Sequence, residues 1–189
     1  MSRVQVGDAF VRSSADGSRW TVGTQAVGMT FEVQDGLLQL VSLRNKLVSP
    51  PREYVGRDAG RFPFIVGAGG HRPGEFTGGS AMQTSYGGQP VVMLVLEQAQ
   101  PGLRVRLHVV AYPGTSVLRQ WIELENTGDA PVSAEATSLT LALQDDPATP
   151  FTHYWMIGGT SNAEQGFMRS ASVTPGYQQT IAAQATAAF

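Results

Sequence analysis

Residues that carry chemistry are few and scattered in this chain. The histidines are His71, His108 and His153. No two of them stand at His-x-x-x-His or Glu-x-x-His spacing, so they outline no zinc site. Calcium or sodium held by carbonyls and carboxylates would leave no readable pattern. Cysteine is absent, which removes a thiolate nucleophile, a thiolate metal site and a disulfide scaffold. No serine lies in Gly-x-Ser-x-Gly. A Ser-His-Asp set assembled in space stays open, because triads are defined by geometry and not by order. Asp145-Asp146 are adjacent carboxylates. On a strand they point to opposite faces, which suits a solvated turn better than an acid/base pair. Gly67-Ala68-Gly69-Gly70 is followed by no helical pattern, so it has no helix N-terminus with which to cradle a phosphate. The sequence assigns no catalytic residue, no metal and no cofactor.

Binding chemistry is better represented. Tyr154-Trp155 lies beside His153, close to Gly158-Gly159. Flat apolar rings with a few directional polar groups are what a sugar face needs, although such residues also serve as core or interface. Trp121 shares a strand face with Arg119 and Glu123. That face reads either as a binding surface or as a cation–π patch covering the sheet. The segment Arg52 to Pro63 concentrates Arg52, Glu53, Arg57, Asp58 and Arg61 in a chain otherwise poor in charge. It reads as a polar recognition loop, with Arg57 or Arg61 donating to hydroxyls, or as a loop held by its own surface ion pairs. Trp20 opens an early strand and is assigned to the core.

The elements that would position these residues are strands. Leu103 to Val109 alternates, with Arg104, Arg106 and His108 on the polar face. Val117 to Asn126 alternates too, and Ala111 to Thr115 between them contains Pro113-Gly114, so the pair is expected to form an antiparallel hairpin. Gln89-Pro90 leads into Val91 to Leu96, a nearly continuous apolar run expected to be a central strand buried on both faces. Ala26 to Val33 and Leu37 to Leu47 flank Asp35-Gly36, a strong hairpin signal. A strand is expected over Pro131 to Leu143, after the turn at Asn126 to Asp129. Trp20 to Thr24, Phe151 to Ile157 and Gly176 to Ile181 are further candidates. Val48 to Ser80, rich in Gly, Pro and Arg, resists a strand reading. The N-terminal stretch from Met1 to Val11 is polar and alternating, and no long window shows helical periodicity. The expected fold is all-β, with ten or more strands in one domain.

The whole chain agrees with this. It has 189 residues, enough to bury a substantial core, and Gly (22) and Pro (11) favour many turns. Its net charge of −2 gives no electrostatic argument for nucleic acid or a membrane surface. No segment approaches the ~18–20 apolar residues that span a bilayer, and the N-terminus lacks a secretory-type apolar stretch. The chain therefore reads as soluble, with the cytoplasm favoured and a leader removed before residue 1 left open. Of 13 basic residues only Lys46 is lysine. Such a bias arises from genome composition, or from a use of arginine's planar fork.

The run Thr115-Ser116-Val117-Leu118-Arg119-Gln120-Trp121-Ile122-Glu123-Leu124-Glu125-Asn126-Thr127-Gly128-Asp129-Ala130-Pro131-Val132 resembles a stretch in the N-terminal domain of family 36 glycoside hydrolases, the α-galactosidases. Leu37 to Lys46 resembles an earlier hairpin of that domain, and Phe151 to Gly159, with Glu164 after it, resembles a later aromatic-rich strand. The resemblance implies a β-supersandwich of the galactose mutarotase type. In that family the catalytic Asp residues lie on a following (β/α)8 barrel of about 250 residues, for which this chain has no room. It further implies contact with that barrel or with a second copy of the domain, and self-association when the barrel is missing. The family's loop at the rim of the sugar site loosely resembles Arg52 to Pro63, which would carry that role to Asp58 and Arg61. The expectation is thus a non-catalytic accessory domain with a galactoside-like ligand, and Asp58, Arg61, His153, Tyr154 and Trp155 as candidate contacts. The alternatives are a free-standing carbohydrate-binding module and a small mutarotase-type enzyme with His108 paired to Glu123 or Glu97.

Overall fold

A computed structural model of the chain describes residues 1–56, 62–66, 74–132, 137–139, 151–157, 167–174 and 176–179. These belong to two compact units, Met1–Gln144 and Asp145–Phe189. Among the described residues there is no helix, so none is long and apolar enough to cross a membrane.

In the first unit, β1 (Ser2–Val6), β2 (Ala9–Ser13), β3 (Arg19–Gly23), β4 (Val27–Gln34), β5 (Leu37–Asn45) and β6 (Arg52–Glu53) form a six-stranded antiparallel meander in chain order. After β7 (Phe64–Val66) come β8 (Glu75–Tyr86), β9 (Gln89–Gln100), β10 (Leu103–Ala111) and β11 (Leu118–Asn126), a second antiparallel meander. The short β12 (Thr137–Leu139) pairs with β7. The all-β class expected from the sequence is present, built as antiparallel sheets.

Alternation places the core between the two sheets. Ala9, Val11, Val22, Met29, Phe31, Leu38 and Leu40 come from the first sheet, and Val92, Leu94, Leu96, Val105, Leu107 and Val109 from the second. All are at most 3% exposed and form one cluster. Burying a side chain of this kind stabilises by roughly 1.5–3 kcal/mol before conformational entropy is counted.

Turn chemistry sets the registers. Asp35 and Gly36 both lie at positive φ (51° and 76°), as a two-residue type I′ hairpin turn requires, and the expected hairpin joins β4 and β5 there. Gly87-Gly88 does the same between β8 and β9. The expected hairpin of residues 103–126 is β10–β11. The run Val91–Leu96 lies in β9, an interior strand of its sheet, with Met93 and Val95 half-buried on the outer face rather than fully covered.

Several expectations are corrected. Val48 to Ser80 contains strand after all: β6, β7 and the first half of β8 fall within it. The N-terminal stretch is the β1–β2 hairpin. Of the strand expected over Pro131 to Leu143, residues 137–139 are strand, and 133–136 and 140–143 lie outside the described residues. Residues 176–179 are not strand, and 180–181 lie outside. In the second unit, β13 (Thr152–Ile157) and β14 (Phe167–Ser172) form an antiparallel hairpin, the former where a strand was expected.

Candidate functional site

The face of the four-stranded sheet turned away from the core gathers most of its polar chemistry. Antiparallel register puts Arg104 opposite Glu125, Arg106 opposite Glu123, His108 opposite Trp121 and Val110 opposite Arg119, and Glu97 of β9 opposite Arg106. Directly opposed residues share a face, so alternation on three strands yields one continuous charged and aromatic surface.

Its charged half is fully cross-linked. Arg106 donates to three carboxylates: Nε to Glu97 (3.1 Å), Nη1 to Glu123 (2.7 Å) and Nη2 to Glu125 (2.7 Å). Arg104 donates from Nη1 to both Glu125 oxygens at 3.1 Å. The Arg104 and Arg106 forks lower the Glu125 pKa, and Glu97 leads Glu123 and Glu125 in raising that of Arg106. Each pair is partly exposed and screened by solvent, so the network serves to orient these groups more than to stabilise the fold.

The aromatic half lies next to it. The His108 and Trp121 rings stack in parallel, 4.7 Å apart at 5°. His108 Nε2–H donates to Glu123 Oε2 at 2.9 Å, which sets its tautomer; its buried Nδ1 has no partner among the described residues. Tyr86, in the last residue of β8, reaches Trp121 (5.7 Å, 38°) and meets Tyr112 edge-on at 6.5 Å. The Arg119 guanidinium stands 4.4 Å from the centre of the Tyr86 ring. Beneath this group Val91 and Val110 are 0% exposed although neither belongs to the inter-sheet core. Tyr86, Tyr112 and Trp121 are half-buried, with ring surface still facing solvent. The cation–π reading of Trp121 is present, with the Arg119 guanidinium 5.9 Å from its ring centre.

The residues singled out from the sequence are placed as follows. Asp58 and Arg61 lie outside the described residues. The described end of that loop is structural: Glu53 accepts the backbone N–H of Leu43 (2.8 Å) and Val55 (3.1 Å) and the Ser42 hydroxyl. His153, Tyr154 and Trp155 are consecutive on β13, and the pleat separates them. His153 and Trp155 share one face, with rings 5.0 Å apart, and His153 Nδ1 is 3.0 Å from the Tyr177 hydroxyl. Tyr154 points the other way and is 62% exposed. They do not form one sugar-facing surface. Sequence reasoning found Trp121, Arg119, Glu123 and His108 but missed Tyr86, Tyr112, and Arg106 as the hub. Counting outward from the two-residue Gly87-Gly88 turn is the signal that puts Tyr86 on the same face.

Among the described residues no three His, Asp or Glu side chains are grouped so as to hold a metal ion. No known protein family, no curated protein and no solved structure matches the chain.

Proposed function

We propose that this chain is a non-catalytic carbohydrate-binding β-domain, accessory to a galactoside-processing glycosidase of the family 36 type, and that its sugar contact is the outer face of the four-stranded sheet. The observation that carries the reading is the half-exposed Tyr86–Trp121 pair, flanked by a guanidinium and a carboxylate already held in place. Ring faces take the C–H side of a pyranose, and Arg119 and Glu123 supply a donor and an acceptor for its hydroxyls. The Arg106 network fixes Glu123 and so lowers the ordering cost of binding. The mutarotase alternative gains nothing from this geometry. An acid and a base serving a sugar ring must both reach it, whereas His108 and Glu123 are bonded to each other and His108 is only 9% exposed.

Calorimetric titration with melibiose, galactose and cellobiose tests the reading. We expect saturable binding of the galactosides with a Kd of about 1 mM, some −4 kcal/mol. Arg119→Gln should weaken it about fivefold or more, and Trp121→Ala should abolish it. No heat with any sugar, or equal affinity in Arg119→Gln, would overturn the site. Binding of cellobiose alone would keep the sugar surface and remove the galactosidase assignment.

A further inference from the structure

The outer face of the six-stranded sheet holds a cavity of about 330 Å³. Arg3, Asp8, Phe10, Arg12, Gln25 and Lys46 are among the residues that line it. Three cations converge on one ring: Arg12, Lys46 and Arg3 stand 4.7, 5.2 and 5.9 Å from the centre of Phe10. Neither Arg3 nor Arg12 is in an ion pair among the described residues, in a chain whose Arg19, Arg44, Arg104 and Arg106 all are. The sole lining acid among the described residues, Asp8, is already engaged: its oxygens accept the backbone N–H of Gln25 (3.0 Å) and Gly114 (2.6 Å). Three cations against one carboxylate leave two positive charges here, although the chain as a whole carries −2.

Lys46, the lone lysine, is built into the floor. Its ammonium donates to the carbonyls of Thr24 (2.7 Å) and Val27 (3.1 Å), which leaves one N–H. The side chain runs across Gly28, where an added Cβ would come within 3.0 Å of Lys46 Cε. Burial, then the charges of Arg12 and Arg44, push the Lys46 pKa down. The cluster therefore holds uncompensated positive charge in a preformed concavity, which is the condition for capturing an anion.

We propose that this cavity is an oxyanion site, taking a phosphate or sulfate group between Arg3, Arg12 and the remaining N–H of Lys46. Arginine forks match two oxygens of a tetrahedral anion, and lysine adds a point charge. The volume corresponds to about ten waters, more than a bare anion fills, so it also accommodates the group that the anion esterifies. The inference is independent of the sugar surface, which lies on the other sheet.

The test uses the full chain and NMR titrations with inorganic phosphate, inorganic sulfate and glucose 6-phosphate, against sodium chloride at matched ionic strength. Saturable shifts at Gln25, Arg12 and Lys46 are expected, with phosphate or sulfate about tenfold or more tighter than chloride. Arg3→Gln, at an exposed edge-strand position that leaves the fold intact, and Arg12→Gln should each weaken binding about threefold or more. Tighter binding of the ester than of inorganic phosphate supports an esterified ligand, and equal binding supports the free ion. Shifts equal to those with chloride, or unchanged in both variants, would overturn the site.

Discussion

The Asp16 carboxylate accepts from the Ser14 hydroxyl and from the backbone N–H and hydroxyl of Ser18, and these bonds hold its pKa at about 2. It organises the tight turn between β2 and β3. Its native pKa lies below the ordinary carboxylate value, so the unfolded chain binds the extra proton. The contribution of Asp16 is therefore complete above the ordinary carboxylate range and is lost as pH falls through about 2. NMR titration of the side-chain carboxyl should give a midpoint near 2, and Ser14→Ala should move it up. A midpoint unchanged by that substitution would assign the shift to something other than these bonds. The same lesson applies to Glu125, whose lowered pKa comes from the Arg104 fork first and the Arg106 fork second. In both cases neighbours, and not burial, set the charge.

At the scale of elements, β8 is the strand that the residue pattern concealed. Its Gly78, Gly79, Ser80 and Gln83 break the apolar alternation that marks β9 and β10. The reason lies in the facing sheet. A Cβ on Gly79 would meet the Trp20 indole at 2.7 Å and Leu96 at 3.0 Å, so Trp20 occupies the space a side chain would have taken. Trp20 is fixed there, its Nε1–H donating to the Gly17 carbonyl at 2.8 Å. Gly79→Ala is expected to destabilise the fold by about 1–3 kcal/mol through overpacking, read as a lower urea midpoint at unchanged m-value. Gly78→Ala, with nothing near its added Cβ, is the control. Strands that pack by their own side chains, such as β4, β5, β9 and β10, were legible from alternation and turn residues. A strand defined by the absence of side chains was not. The candidate site divides the same way. Trp121, Arg119, Glu123 and His108 stood out within single strands, whereas Tyr86 joins them only through register. The Lys46 cavity was invisible, because it is assembled from β1, β2 and two stretches flanking β4 and β5, with Lys46 just beyond the latter.

At the scale of the first unit, the two sheets are tied at one corner by the turn between β10 and β11. Asp8, from the β1–β2 turn, accepts the Gly114 N–H, and the buried Thr24 hydroxyl donates to the Thr115 carbonyl at 2.7 Å. Pro113 packs where a Cβ on Gly7 would stand 3.1 Å away. Tyr112 of the same turn meets Tyr86 on the aromatic surface, so the corner links the two outer faces mechanically. Asp8→Ala removes the clamp and leaves every core side chain in place. Hydrogen exchange at Gly114 should then accelerate about tenfold or more, while Val22 and Leu107, paired deep in their ladders, keep their protection. The Gln25 and Gly114 N–H bonds hold the Asp8 pKa below the usual carboxylate range, so acidification only into that range should not mimic the substitution. Faster exchange throughout both sheets would mean that the corner governs the stability of the whole sandwich. Exchange confined to residues 112–115 would mark it as a local hinge between the two surfaces.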